Sequence, residues 1–260
     1  MSDGETSKEV GRAGKAIRSD AIGQIKMGIA ERQATDELIE GWWRYIPSTA
    51  VAAGLLTFII FFVLTGGLIG VLIALILMWT VTYAVLAILN YRLIKRMNEH
   101  ARREAVLRRG MIEHLLSVAE EEGGADIALR TRSALDPMLH DHAAERPFGI
   151  MLSPMTAVPI VGIVAELLVL RDLNRFHPAH ERGWKALLSE WKEASDKRGW
   201  QLLLPAEKQV KRRPFAAYYL ISLVLTPFLI YWYHDLIQEV NQHFREQWQI
   251  EDQLVSRLGT

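Results

Sequence analysis

The chain of 260 residues contains no cysteine, which excludes disulfide bonds, thiolate metal ligands and a cysteine nucleophile. It also lacks an excess of charge of either sign, because 30 Lys and Arg residues balance 30 Asp and Glu residues. Such a balance argues against a nucleic-acid partner, since nucleic-acid binding depends on a basic surface. Phosphate-binding glycine loops, Gly-x-Ser-x-Gly nucleophile motifs and paired-carboxylate signatures are absent as well. The sequence therefore predicts a protein that is not an enzyme and has no cofactor.

Lys, Arg, Asp and Glu are missing between Tyr45 and Tyr91, although they make up 23% of the chain. The run is too long for a single membrane crossing, which takes about 20 residues. Gly66 and Gly67 lie near its centre, where glycine weakens a helix. We therefore predict a hairpin of two transmembrane helices, at about 47–65 and 68–90, in an all-α integral protein that crosses the cell membrane more than once.

Two further apolar segments occur at 148–170 and 215–234. Helix breakers interrupt both of them, namely Gly149, Pro154, Pro159 and Gly162 in the first and Pro227 in the second. Each segment either spans the membrane or re-enters it. The predicted regions are a polar tail with an amphipathic helix (1–45), the hairpin (46–91), a polar helical region (92–146) and two repeat units (147–213 and 214–260).

The two repeat units share several residues at one constant spacing. Arg146-Pro-Phe recurs as Arg213-Pro-Phe, a shift of 67 residues, and the same shift carries Asn174 onto Asn241. Each unit contains Arg-Pro-Phe, then an apolar stretch with a central break, then an acidic residue and Asn. Coincident matches in a single register indicate an internal duplication.

The sequence from Thr226 to Trp232, Thr-Pro-Phe-Leu-Ile-Tyr-Trp, is followed by Asn241 in a polar helix. This pattern resembles an uncharacterised prokaryotic membrane domain, the domain of unknown function family 4234, which carries Thr-x-Gly-Ile-Tyr followed by Trp and Asn. The resemblance covers about 213–250 and, more weakly, 146–185. It implies a membrane protein of bacteria or archaea, and it implies no activity.

The distribution of basic residues bears on the topology. Seven basic and two acidic residues occupy 92–109, and 208–213 is also basic. If all four apolar segments span the membrane, these two regions lie on opposite sides, against the tendency of basic residues to be cytoplasmic. If 148–170 instead folds back near Pro154–Pro159, both regions become cytoplasmic, provided that protein surrounds the broken backbone. Both topologies remain open on the sequence.

Amphipathic stretches lie outside the apolar segments. The stretch at 17–43 either packs on the rest of the protein or lies in the membrane interface. Apolar stripes at 93–119, 184–191 and 236–258 exceed what a small bundle of four segments is expected to cover. We expect these stripes to contact the lipid bilayer or protein partners, which predicts a homo-oligomer or a subunit of a larger membrane complex.

Two sites carry possible chemistry. Glu166 is the one charged residue within an apolar segment and is therefore a functional candidate, although its position near Arg171 favours the membrane interface. His177 and His180 have a spacing that could hold a metal ion. They lack the framework of a recognised metal motif, so no metal site is predicted and both remain weak candidates.

Structural or interaction roles are predicted for the other candidate residues. Asn98, Asn174 and Asn241 recur beyond successive apolar segments, where an amide can bond backbone groups or another helix. Trp232 in the fourth segment and Trp248 in the last stripe are predicted contact residues.

The leading interpretation is a non-enzymatic structural or assembly subunit of a membrane complex or homo-oligomer. A small channel or transporter with a polar path near Glu166 is one alternative. A membrane metalloenzyme that uses histidines is the second.

Overall fold

A computed structural model describes residues 18–144, 149–158, 161–197 and 214–258, without some side chains, among them those of 122–131, 134–144 and 194–197. Every regular element in these ranges is a helix. The elements are α1 (18–30), α2 (Arg32–Thr35), a 3-10 turn (Gly41–Tyr45), α3 (Ile46–Thr65), α4 (Gly67–Ala144), α5 (Leu152–Met155), α6 (Val161–Lys197), α7 (Phe215–Val224) and α8 (Thr226–Leu258).

Helices α3 and α4 form the predicted hairpin. Gly66 and Gly67 make the turn with φ angles of 57° and 63°, in the left-handed region. A side chain there costs about 1–2 kcal/mol, which explains why glycine occupies both positions. The helices Gly41–Thr65 and Gly67–Glu121 are long and apolar enough to cross a membrane. The first helix and the start of the second agree with the prediction to within one residue, whereas the predicted end at 90 is wrong because α4 continues to Ala144.

Helix α4 continues far beyond the apolar run and contains 78 residues. Gly123 and Gly124 lie within it and do not end it. Each glycine costs a helix about 1 kcal/mol, but alanines and other strong helix formers flank the pair on both sides. Most of the region 92–146 is therefore one extension of the second hairpin helix.

The fourth apolar segment folds back on itself at Leu225, between α7 and α8. The ring centroids of Phe215 and Trp232 lie 5.8 Å apart, and those of Tyr218 and Phe228 lie 5.0 Å apart. One continuous helix would separate residues 17 positions apart by about 25 Å. The segment 215–234 is therefore a short helical hairpin.

The third apolar segment also contains a break, between α5 and α6. A Cβ atom on Gly162 would lie 2.2 Å from the carbonyl oxygen of Thr156. The backbone at Thr156 can therefore approach the first turn of α6 only because Gly162 has no side chain. Both repeat units thus consist of a short helix, a break and a long helix. Among the described residues, neither segment is one helix of membrane-spanning length.

Helices α4, α6 and α8 run side by side in the same direction. One buried apolar cluster contains Leu89 of α4, Val169 of α6 and Leu236 of α8. A second contains Leu107, Trp184 and Ile250 from the same three helices, each later in its helix. Since residue numbers rise from the first cluster to the second in all three helices, the helices are parallel.

The amphipathic stripes at 93–119, 184–191 and 236–258 form much of these two clusters. The expectation that they face lipid or partners is therefore wrong. It assumed that a bundle of four segments is too small to cover the stripes, whereas the three stripes pack on one another as continuations of adjacent helices. Phe244, at 1% exposure, is an example. Assembly into an oligomer or a larger complex stays a prediction, but exposed apolar stripes no longer support it.

Helix α1 packs on α4, which corresponds to the first of the two alternatives for the amphipathic stretch. Ile25 of α1 is fully buried. A Cβ atom on Gly110 of α4 would lie 2.9 Å from both the carbonyl oxygen of Ala21 and the amide nitrogen of Ile25. Gly110 therefore allows the two helix backbones to approach closely.

Candidate metal centre

Three buried histidines meet at the centre of the helical bundle. His100 lies on α4, His180 on α6 and His243 on α8, and one ring nitrogen from each lies within 4.8 Å of the others. Their exposed fractions are 0%, 0% and 6%. Imidazole nitrogens are common ligands of divalent transition metals, and three of them at one point form a candidate metal site.

Glu104 lies one turn after His100 on α4 and adds a carboxylate oxygen to the site. Its Oε2 atom lies 2.7 Å from Nε2 of His180 and 3.3 Å from Nε2 of His100. The two Nε2 atoms are 3.2 Å apart. Ligand atoms around a tetrahedral Zn²⁺ lie about 3.3 Å from one another when the bonds are about 2.0–2.1 Å. Two edges, at 3.2 and 3.3 Å, are close to that spacing, and the edge between Glu104 and His180 is shorter at 2.7 Å. His243 would have to move inward to complete the site.

Carboxylates contact the histidine rings from behind. Nδ1 of His100 lies 2.8 Å from Oδ1 of Asp36, and Nδ1 of His243 lies 2.9 Å from Oε2 of Glu181. In metal sites a carboxylate commonly accepts the second ring N–H, which fixes the tautomer and orients the other nitrogen toward the metal. Two of the three histidines have this arrangement.

Two arginines hold the carboxylates in place. Arg103 donates to Asp36 at 2.7 Å and to Glu251 at 2.6 Å, and Nε of Arg108 donates to Glu104 at 2.8 Å. Because these groups are buried, each charge depends on its partners for compensation. The network therefore fixes the positions of the groups around the histidines.

The surroundings also set the charge states of two groups. Burial by itself would raise the pKa of Asp36, but His100, Arg103 and the indole of Trp248 outweigh it and hold the pKa below its ordinary value. Burial lowers the pKa of His243, against the opposing effect of Glu181. A metal ligand has to be a neutral imidazole, which the lowered pKa of His243 favours, whereas burial is outweighed at His100, where Asp36 and Glu104 raise the pKa.

A metal ion is not the sole cation that fits these contacts. His100 faces Asp36 with Nδ1 and Glu104 with Nε2, so a protonated imidazolium could donate to both. A metal ion would replace the proton on Nε2 and leave the bond to Asp36 intact. The arrangement around His100 is therefore the same for a protonated imidazolium and for a bound metal ion. The metal content of the purified protein distinguishes the two.

The structure brings one of the two weak histidine candidates into this site. His180 is a member, whereas the side chain of His177 lies outside the described residues. His100, His243 and Glu104 were not predicted as site residues. Their signal was Asn-x-His, which occurs at Asn98 and again at Asn241 and places a histidine at matching positions of α4 and α8.

The recurring asparagines differ in their contacts. Asn241 accepts from the amide of Ile39 at 3.1 Å and donates to its carbonyl at 2.9 Å, which is a backbone contact of the predicted kind. Asn174 is buried and Asn98 is half-buried. The amide of Asn241 also accepts from Arg96 at 2.7 Å.

The predicted tryptophans and Glu166 are all in contact with the bundle. Trp232 is fully buried in the first cluster, and Trp248 donates from Nε1 to Asp36 at 2.8 Å. Glu166 is 2% exposed, so it lacks the solvent contact of the predicted interfacial position. It lies with Asn90 and Tyr233 in a second polar group.

In comparisons with known proteins, no family model, curated protein or solved structure matches the chain. The resemblance to the prokaryotic membrane domain stays a prediction.

Proposed function

We propose that this is a non-enzymatic integral membrane protein that holds a divalent transition-metal ion between its three parallel helices. The convergence of His100, His180 and His243 with Glu104 carries the proposal. In this function the metal ion connects α4, α6 and α8 and fixes the part of the bundle that projects from the membrane.

The exposed apolar surface of the hairpin supports a membrane location. Only 11% of the apolar window of α3 and 17% of that of α4 is buried. The core helix of a water-soluble protein would be mostly buried. Around the turn, Val63, Leu64, Leu68 and Ile69 are 73–77% exposed. Exposed apolar surface of this kind is typical of a site that contacts lipid or a protein partner, and its length on both helices favours lipid.

Charge supports a cytoplasmic position for the metal centre. His100 follows the end of the apolar run by about ten residues, or about 15 Å along a helix. Arg92, Lys95 and Arg102 lie on the same stretch of α4, and basic residues flanking membrane helices favour the cytoplasm. Because α6 and α8 run parallel to α4, the whole centre lies on that side.

The burial of the site favours a structural metal over a catalytic one. His100, His180 and Glu104 have no exposed surface. Four protein ligands also complete a tetrahedral shell, whereas catalytic zinc sites keep one position open for water or substrate. The channel alternative receives less support, since Glu166 contacts Asn90 and Tyr233 in the interior.

The donor set limits the metal to ions that accept imidazole and carboxylate ligands. Zn²⁺ fits the spacing of the site, and Fe²⁺, Mn²⁺, Co²⁺ and Ni²⁺ share its ligand preferences to different degrees. Sites that depend on thiolate ligands are excluded because the chain has no cysteine.

Thermal unfolding of the purified protein in mild detergent tests the proposal. A chelator should lower the midpoint, and added Zn²⁺ should restore it, because an ion at 100 times its dissociation constant stabilises the folded state by about 2.7 kcal/mol. H243Q should abolish this response. H234Q is the matched control, since His234 lies on the same helix and contacts Gln238 instead.

An unchanged midpoint in wild type on chelation and Zn²⁺ addition would contradict the proposal. An equal response of wild type and H243Q would contradict the assigned ligands. If H243Q fails to fold, E104Q provides a second variant of nearly the same size. Hydrolytic or redox activity that depends on the bound metal would instead favour the metalloenzyme alternative.

A further inference from the structure

A second buried polar group joins the same three helices nearer to the apolar hairpin. Asn90 of α4 and Tyr233 of α8 are fully buried, and Glu166 of α6 is 2% exposed. About ten residues, or about 15 Å of helix, separate Asn90 from His100 and Tyr233 from His243. The group is therefore distinct from the candidate metal centre.

The three side chains form a closed ring of contacts. Nδ2 of Asn90 lies 2.8 Å from Oε2 of Glu166, and the hydroxyl of Tyr233 lies 2.7 Å from Oδ1 of Asn90. The same hydroxyl contacts Oε1 of Glu166 and completes the ring. Each helix contributes one member.

Counting hydrogen atoms shows what the ring requires. Each of the three contacts needs one hydrogen between its two heavy atoms. The Tyr233 hydroxyl has one, and Asn90, which presents nitrogen to one partner and oxygen to the other, supplies one more. Exchanging the amide nitrogen and oxygen of Asn90 leaves the count unchanged. The third hydrogen has to be on Glu166.

The described residues around Glu166 provide no counter-charge for its ionised form. Among the described residues, no Lys, Arg or His side chain forms an ion pair or hydrogen bond with it. Tyr83 and Tyr219 are near enough for Glu166 to affect their ionisation, and neither supplies a positive charge. A buried carboxylate without a positive charge beside it is strongly unfavourable, so the neutral acid is the stable form.

We infer that Glu166, Asn90 and Tyr233 form a proton-binding site in which Glu166 carries a proton. Its carboxyl O–H donates to the oxygen of Tyr233, the Tyr233 hydroxyl donates to Asn90, and the Asn90 amide donates back to Glu166. Loss of the proton leaves two acceptors facing each other and opens one contact of the ring. Proton binding is thereby linked to the packing of α4, α6 and α8.

Infrared difference spectroscopy of wild type against E166Q tests this inference. The wild-type spectrum should contain the carbonyl band of a protonated carboxylic acid at mildly acidic to near-neutral pH, and E166Q should lack it. The amide introduced by E166Q supplies one N–H and one acceptor, as the protonated acid does, so the ring should still close and the variant should fold. A difference spectrum without this band would overturn the inference.

The Asn90→Ala variant is a second test that keeps Glu166. Removing the N–H that donates to the acid carbonyl should move the band to higher frequency without abolishing it. An unchanged frequency would contradict the ring. E166Q should retain the Zn²⁺-dependent thermal shift, so a failure of this inference and a failure of the metal proposal are separate results.

Discussion

Replacing Asp36 with Asn should destabilise the protein more than its small change in size suggests. Asp36 lies between α2 and the bundle and accepts from His100 at 2.8 Å, from Arg103 at 2.7 Å and from Trp248 at 2.8 Å. Asn has one acceptor oxygen and introduces an amide N–H₂ that faces donors. The variant therefore loses one or two of the three contacts and part of the charge compensation of Arg103.

The expected size of this effect follows from the burial of the network. A hydrogen bond to a charged group contributes about 1.5–3 kcal/mol. Removing one partner of a buried ion pair costs about 3–5 kcal/mol. Arg103 keeps Glu251 as a partner, so we expect D36N to lose about 3 kcal/mol of unfolding free energy.

Unfolding by a denaturing detergent in mixed micelles measures this loss. The total tryptophan fluorescence, to which Trp248 beside Asp36 contributes, should follow the unfolding. D20N is the matched control because Asp20 is exposed on α1, and its unfolding free energy should change by less than about 0.5 kcal/mol. A D36N loss below about 1 kcal/mol would refute the view that this network organises the site.

Two further predictions concern the packing and the topology. G110A should weaken the contact between α1 and α4 by about 1–3 kcal/mol, because its methyl group would approach the backbone of α1 at 2.9 Å. The protection of α1 from proteolysis measures this weakening. Unchanged protection would contradict the close contact. Since the chain has no natural cysteine, single cysteines at 43, 92 and 171 can be labelled selectively in intact vesicles. The hairpin with a re-entrant third segment places all three on one face of the membrane, whereas labelling of position 171 from the opposite face would support four spans.

The hairpin was predictable because its signals are local. A run without charge predicts membrane helices, and the glycine pair at 66–67 predicts the turn from its own backbone freedom. The end of α4 was not predictable in the same way. Gly123 and Gly124 are ordinary stop signals, but the strong helix formers around them determine the outcome.

The candidate metal centre was less accessible to sequence reasoning because its members are far apart in the chain. Glu104 and His180 are separated by 76 positions, and nothing in a single sequence gives the rotation of α6 relative to α4. His177 and His180 were equivalent by spacing. The parallel packing of three helices brings His180 to the centre together with His100 and His243.

The polar group at Glu166 shows the same limit. Its isolation in an apolar segment was visible in the sequence, whereas its partners depend on the fold. Asn90 and Tyr233 reach it because both repeat units fold back and direct their long helices along α4. The break at Leu225 between α7 and α8 causes this arrangement. The sequence indicates that break only through the helix breaker Pro227, two residues later.

Elemental analysis of the purified protein tests the central claim most directly. The metal content per chain is measured by mass spectrometry after purification without chelator, for wild type, H180Q and the control H234Q. The account predicts about one transition-metal ion per chain for wild type and H234Q and a large loss for H180Q. A wild-type protein without metal, even after incubation with Zn²⁺ and removal of the excess, would contradict the account and leave a protonated His100 as the cation of the site.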